Sequence, residues 1–132
     1  MTQDIKLKPV TKNDVLFLYD LLKTRDPEGN ISHKKMPSYG EHMKFVMSKP
    51  YTNWYIVEYN KKTVGSIYLS KRDEIGISIN NDSEYDLIAK LSLKLLVKLN
   101  PRKRYLANVS PNNKKLQEFL LKNGFAILQN VY

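Results

Sequence analysis

The sequence predicts an α/β domain on a mixed sheet, with elements in the order β-α-α-β-β-β-α-β-α-β. Three observations predict it. Short runs alternate polar and apolar residues, as half-buried strands do. Longer segments repeat apolar residues at helical spacing behind cap signals. The central strands follow one another through short turns, whereas a helix separates the later ones, so the sheet is antiparallel first and crosses over afterwards. With 132 residues and no repeat, low-complexity stretch or linker, residues 1–132 read as one domain.

Each element has its own signal. "DIKLKPV", residues 4–10, alternates as a strand. In "TKNDVLFLYDLLKTR", Thr11 and Asp14 form a capping-box pattern, and Val15, Leu18, Tyr19 and Leu22 recur at helical spacing. Residues 26–37, with two prolines and a glycine, read as a loop. "SYGEHMKFVMSK" opens with a second box, Ser38 and Glu41, and reads as a shorter helix. "TNWYIVEYN" and "TVGSIYLSK" are β-rich runs joined through "NKK", and "EIGISIN" is a further strand. Residues 83–99 read as a helix with Ile88, Leu91, Leu95 and Leu99 on one stripe. "RYLANV" is a strand, "NNKKLQEFLLKN" a helix ending at Gly124, and "FAILQNVY" a last strand.

Bulk properties exclude several classes of function. The 42% apolar content suits a folded chain, and no apolar run reaches the roughly 20 residues that cross a bilayer. No membrane association is expected. "MTQDIKLKPV" lacks the apolar core of a secretory signal, so the cytosol is the expected compartment. The absence of cysteine excludes disulfide and thiolate chemistry. His33 and His42 have no acidic or thiol companions at metal spacing, so no metal site is expected. The net charge of +9 is scattered, and only Lys98, Arg102, Lys103 and Arg104 are dense. They stand at a helix end, where cations suit the dipole, so nucleic acid is not the expected partner.

"RYLANVSPNNKKLQEFLLKNGF", residues 104–125, resembles the late strand-loop-helix segment of the GNAT family of N-acetyltransferases. "NKKTVGSIYLSKRDEIGISI", residues 60–79, resembles the central strands of that family, and the element order matches over nearly the whole chain. The last family strand is missing after "FAILQNVY". The resemblance implies a GNAT-like fold and acetyl transfer from acetyl-CoA to a primary amine of a small molecule, such as an amino sugar. It also implies pantetheine bonded to the main chain of Gly76, Ile77, Ser78 and Ile79, and a pyrophosphate on the turn that opens the next helix.

That turn in the family has the pattern Gln/Arg-x-x-Gly-x-Gly/Ala, which falls here on "EYDLIA". Glu84 stands at the first position, Leu87 at the first glycine, and Ala89 at the second, with Ile88 between them. Ser83 and Asp86 read instead as a capping box, and the acids Asp82, Glu84 and Asp86 would take the electrostatic place of a phosphate. Asn113 matches an asparagine of the family's late segment. Leu116 stands where a small residue is usual, and Leu120 where many members carry a proton-returning tyrosine. Leu87, Leu116 and Leu120 therefore read either as a filled groove or, for the last two, as plain core.

Deprotonating the amine requires a base, and a carboxylate is the usual one. Glu74 is the first candidate and Glu58 the second; both also read as solvated strand-end acids. By resemblance the acceptor is held between the first two helices, where Arg25, Asn30, Ser32, His33 and His42 offer polar groups. Alternation in "NWYIVEY" places Trp54, Ile56 and Glu58 on one face and Tyr55, Val57 and Tyr59 on the other, which argues against one continuous aromatic surface. Two alternatives stand beside the enzyme: a GNAT-fold binding or regulatory module that no longer binds CoA, and a basic nucleic-acid-binding protein. The open sheet edge at the end of the chain also admits a homodimer.

Overall fold

The computed structural model describes residues 4–23, 37–81, 83–109 and 113–126. Their elements follow the expected order as far as the last helix. These are β1 (Ile5–Pro9), a 3-10 turn (Lys12–Asp14), α1 (Val15–Lys23), α2 (Tyr39–Met47), β2 (Asn53–Tyr59) and β3 (Lys62–Leu69). Then come β4 (Glu74–Ile79), α3 (Tyr85–Leu99), β5 (Leu106–Ala107) and α4 (Lys114–Lys122). Of the expected last strand, Phe125 and Ala126 are not in a strand, and residues 127–132 lie outside the described residues.

The strands form one five-stranded sheet in the order β1-β2-β3-β4-β5. The first three pairings are antiparallel and β4–β5 is parallel. Asn60 and Lys61, with φ of 49° and 69°, turn β2 into β3; two left-handed residues give the tight turn whose twist matches its strands. β3 reaches β4 through Ser70, whose hydroxyl accepts the N–H groups of Arg72 and Glu74.

Helices cover both faces. On one, Val15 and Leu18 of α1 and Val46 of α2 pack on Ile56, with Trp54 beside them. On the other, α3 and α4 bury Ile88, Ala89, Leu93, Leu96, Phe119 and Leu120 against Val57, Ile67, Leu69 and Ile75. The β4–α3–β5 crossover is what makes the last pairing parallel.

Three details differ from the expectation. The buried stripe of α3 runs through Tyr85, Ile88, Ser92 and Leu96, while Leu91 and Leu95 are half-buried and Leu99 is 55% exposed. Ser92 hides the stripe from a hydropathy reading, because it is fully buried yet polar. Its hydroxyl donates to the Ile88 carbonyl at 2.7 Å, which satisfies it inside the core. β5 is two residues long, not the six of "RYLANV", because its pairing with β4 stops at Ala107. Finally, α3 does not begin with the expected capping box.

Candidate active site at the β4–β5 cleft

β5 pairs with β4 only at Glu74↔Leu106 and Ile75↔Ala107. Beyond them, Gly76, Ile77, Ser78 and Ile79 remain bonded to β3 on one edge but have no strand partner on the other among the described residues. All four are half-buried. A row of backbone N–H and C=O groups thus lies open in a cleft that widens from Gly76 toward the C-terminal end of β4. Buried backbone groups need partners, and an extended amide-containing ligand can supply them. A hollow of about 390 Å³ between α3 and Tyr105, Asn123 and Phe125 touches none of residues 74–79 and lies apart from this cleft.

α3 begins a short turn after the end of β4. Its N-cap is Glu84, not Ser83, and no side chain caps it. Ser83 donates its hydroxyl to Asn81 Oδ1 at 3.1 Å, and the Glu84 N–H donates to the same oxygen at 3.0 Å. The Ser83–Asp86 box therefore fails because Asn81 holds Ser83. The N–H groups of Tyr85, Asp86 and Leu87 have no acceptor among the described residues. Glu84 is drawn away from the helix axis, since Tyr59 of β2 donates to its carboxylate at 2.5 Å. That bond, followed by burial, raises the Tyr59 pKa.

The remaining cofactor candidates separate into groups. Ile88 and Ala89 are fully buried in the core, and the Ile88 N–H is spent on the Glu84 carbonyl, so neither offers a group to a ligand. Leu87 and Leu116 are half-buried against the core and Leu120 is buried within it. Leu116 and Leu120 are therefore core residues. Asn113 caps α4, its side-chain oxygen accepting the Leu116 N–H at 3.3 Å.

Glu74 stands at the narrow end of the cleft. Ser70 donates to its carboxylate at 3.3 Å, and Asn108, just past β5, donates to its other oxygen. Glu58 sits at the opposite end of the sheet, paired with Lys8 at 3.1 Å beside a bulge in β2. The two acids are not brought together, and Glu58 is committed to its ion pair.

On the α1–α2 face, Trp54 is joined by aromatic residues from other elements. Tyr51 stacks on Tyr68 with centroids 3.7 Å apart, Tyr51 meets Trp54 edge-on at 4.9 Å, and Phe45 of α2 meets both. The three aromatics of β2 are split as alternation predicts, Trp54 on this face and Tyr55 and Tyr59 on the other; the ring partners of Trp54 come from elsewhere in the chain. Alternation along β2 splits its own aromatics but is silent about neighbours from β3, α2 and the connecting turn. His42 is 6% exposed on the same side, against the Tyr19 ring, which also meets Tyr39 edge-on. Its Nε2 has no hydrogen-bond partner among the described residues, and burial lowers its pKa. Arg25, Asn30, Ser32 and His33 lie outside the described residues.

No protein-family model matches the chain, and no curated protein matches it. Solved structures do. A domain from Methanocaldococcus jannaschii aligns with a TM-score of 0.79 at 22% identity, over 98% of this chain and 93% of that one. The spermidine/spermine N-acetyltransferase of Vibrio cholerae, in mutant forms, aligns with a TM-score of 0.73 at 14% identity, over 96% and 82%. An aminoglycoside acetyltransferase in complex with coenzyme A aligns with a TM-score of 0.68 at 18% identity, over 97% and 87%. The chain has the GNAT fold. Within that GNAT fold, β4 with its free edge ends at Ile79, and α3 with its uncapped start begins at Tyr85, a short turn later in the chain. Sequence reading missed Asn81 and Tyr68 as site residues. Asparagine before a helix is a recognisable cap signal, but the partner of Tyr68 appears only when β3 and β4 are paired.

Proposed function

We propose that the protein transfers an acetyl group from acetyl-CoA to a primary amine of a small molecule. The observation that carries this reading is the open edge of β4 at residues 76–79, next to a helix start whose N–H groups no side chain takes. The residues fit the cofactor. Gly76 to Ile79 would bond the amides of pantetheine through their main chain. The N–H groups of Tyr85, Asp86 and Leu87 would face the pyrophosphate, where the helix dipole favours an anion. Bound there, acetyl-CoA supplies the activated acyl carbon.

Glu74 is the base in this reading. Its carboxylate is fixed by Ser70 and Asn108 at the narrow end of the cleft, so it is oriented before an amine arrives. Glu58, engaged by Lys8, has no part in it. His42, without a partner for Nε2 among the described residues and with its pKa lowered by burial, lines the α1–α2 side and would accept a hydrogen bond from a polar acceptor. The acceptors named for two neighbours, spermidine/spermine and aminoglycosides, are the first amines to screen, together with amino sugars.

Titration calorimetry with acetyl-CoA tests the proposal, followed by the amine screen with free-thiol detection. Micromolar binding and an acceptor-dependent thiol signal that Glu74→Gln lowers by about 10²-fold or more are expected. Absence of binding at millimolar acetyl-CoA would overturn the enzyme and leave a GNAT-fold module, the reading that the acids Glu84 and Asp86 favour.

A further inference from the structure

Tyr68 stands opposite Gly76 in the β3–β4 register. A Cβ built on Gly76 would lie 2.1 Å from the Tyr68 ring carbons and 2.5 Å from its hydroxyl oxygen. The ring therefore lies flat across the backbone of Gly76, and only glycine leaves it that space. Tyr51 fixes the ring from the other side, stacked at 3.7 Å with planes 4° apart. The phenol is thus held over the first residue of the free edge, two positions from Glu74 on the same face of β4.

Its hydroxyl has no hydrogen-bond partner among the described residues, which distinguishes it from the other phenols near the sheet. Tyr59 donates to Glu84, Tyr105 donates to the Asn100 carbonyl, and Tyr55 accepts from the Asn100 amide. Tyr85 is buried against Phe119, with its pKa pushed up to about 12 chiefly by burial. On α4, Leu120 is buried in the core and carries no proton to give.

We infer that the Tyr68 hydroxyl is the hydrogen-bond donor and proton source for the thioester sulfur at the narrow end of the β4–β5 cleft. The inference rests on the acetyl-transfer reading and adds the acid to its base. As the nitrogen–carbon bond forms and the carbon–sulfur bond breaks, Glu74 takes the proton lost by nitrogen and Tyr68 gives its own to sulfur. Tyr68 then regains a proton from Glu74 through water, which leaves an acetamide and a thiol with no charge unbalanced.

The test compares CoA with desulfo-CoA, which lacks only the sulfur, by calorimetry on the wild type and on Tyr68→Phe. The phenylalanine variant keeps the ring, so the stack and the strand pairing remain. One neutral hydrogen bond is worth about 1 kcal/mol, or roughly fivefold in affinity. The wild type should prefer CoA over desulfo-CoA, and Tyr68→Phe should weaken CoA by about fivefold while leaving desulfo-CoA unchanged. With an acceptor in hand, Tyr68→Phe should lower kcat and leave the KM for acetyl-CoA within about fivefold, since the contact is one hydrogen bond. A Tyr68→Phe variant with the wild-type ratio of affinities would overturn the role of Tyr68 and leave the acetyl-transfer reading standing. A wild type that binds neither compound would overturn both.

Discussion

Two helices begin with the same kind of sequence and end up differently. Ser38-Tyr39-Gly40-Glu41 closes on itself at α2: the Ser38 hydroxyl accepts the Glu41 N–H at 3.1 Å, and the Glu41 carboxylate accepts the Ser38 N–H at 2.9 Å. Ser83-Glu84-Tyr85-Asp86 has the same spacing before α3, and neither bond forms. The difference lies in what surrounds each segment. At α2 the carboxylate has no competing partner among the described residues. At α3, Asn81 takes the serine and Tyr59 takes Glu84, which leaves the first-turn N–H groups without an acceptor among the described residues. A capping pattern is a local offer that tertiary partners can outbid. In this fold they outbid it where a ligand would bind.

Breaking the closed cap should have the largest effect on stability. Ser38→Ala should cost about 1 kcal/mol by denaturant unfolding, within a range of about 0.5–2 kcal/mol for such caps, and leave cofactor affinity unchanged. Asn81→Ala should cost less in stability, about 0.5–1 kcal/mol, because the turn it bonds is exposed. It should nonetheless weaken CoA, since the Asn81 side-chain oxygen, accepting from Ser83 and the Glu84 N–H, orients the α3 start. Ser83→Ala should stay within about 0.5 kcal/mol of the wild type, because Ser83 caps nothing. A Ser83→Ala loss equal to that of Ser38→Ala would restore the symmetry between the two helices and contradict their contrast.

The α2 helix also carries a pH dependence of stability, through His42. Burial lowers the His42 pKa below its ordinary value near 6.5, so the folded protein binds fewer protons there than the unfolded chain. Stability from this group is complete above about 6.5 and is lost as the pH falls from there toward the folded value. Thermal unfolding across that window should show the slope in the wild type and lose it in His42→Leu. An unchanged slope in the variant would place the dependence elsewhere.

Most of the fold was readable from the sequence because it is written in short-range patterns. The β2–β3 hairpin, the boxes at Thr11 and Ser38, and the alternation of β4 depend on residues within a few positions of one another. The site was readable only in part. Glu74 and residues 76–79 were candidates by resemblance alone, and the free edge of β4 became visible only once β5 proved to be two residues long. The rest depends on pairs far apart in sequence. Tyr59 and Glu84 are 25 positions apart, and Asn53 reaches the buried Asn100 across 47. Ser92 is the opposite failure: a polar residue in the core whose partner is one turn away, hidden from any reading that equates polarity with exposure.

The central claim is that the open edge of β4 and the uncapped start of α3 together hold the cofactor, while the closed start of α2 does not. Amide chemical-shift mapping with ¹⁵N-labelled protein and CoA tests it most directly. The expected result is saturable shifts at residues 76–79 and 85–87, with residues 38–41 unmoved. Shifts confined to other surfaces, or none at millimolar CoA, would contradict it.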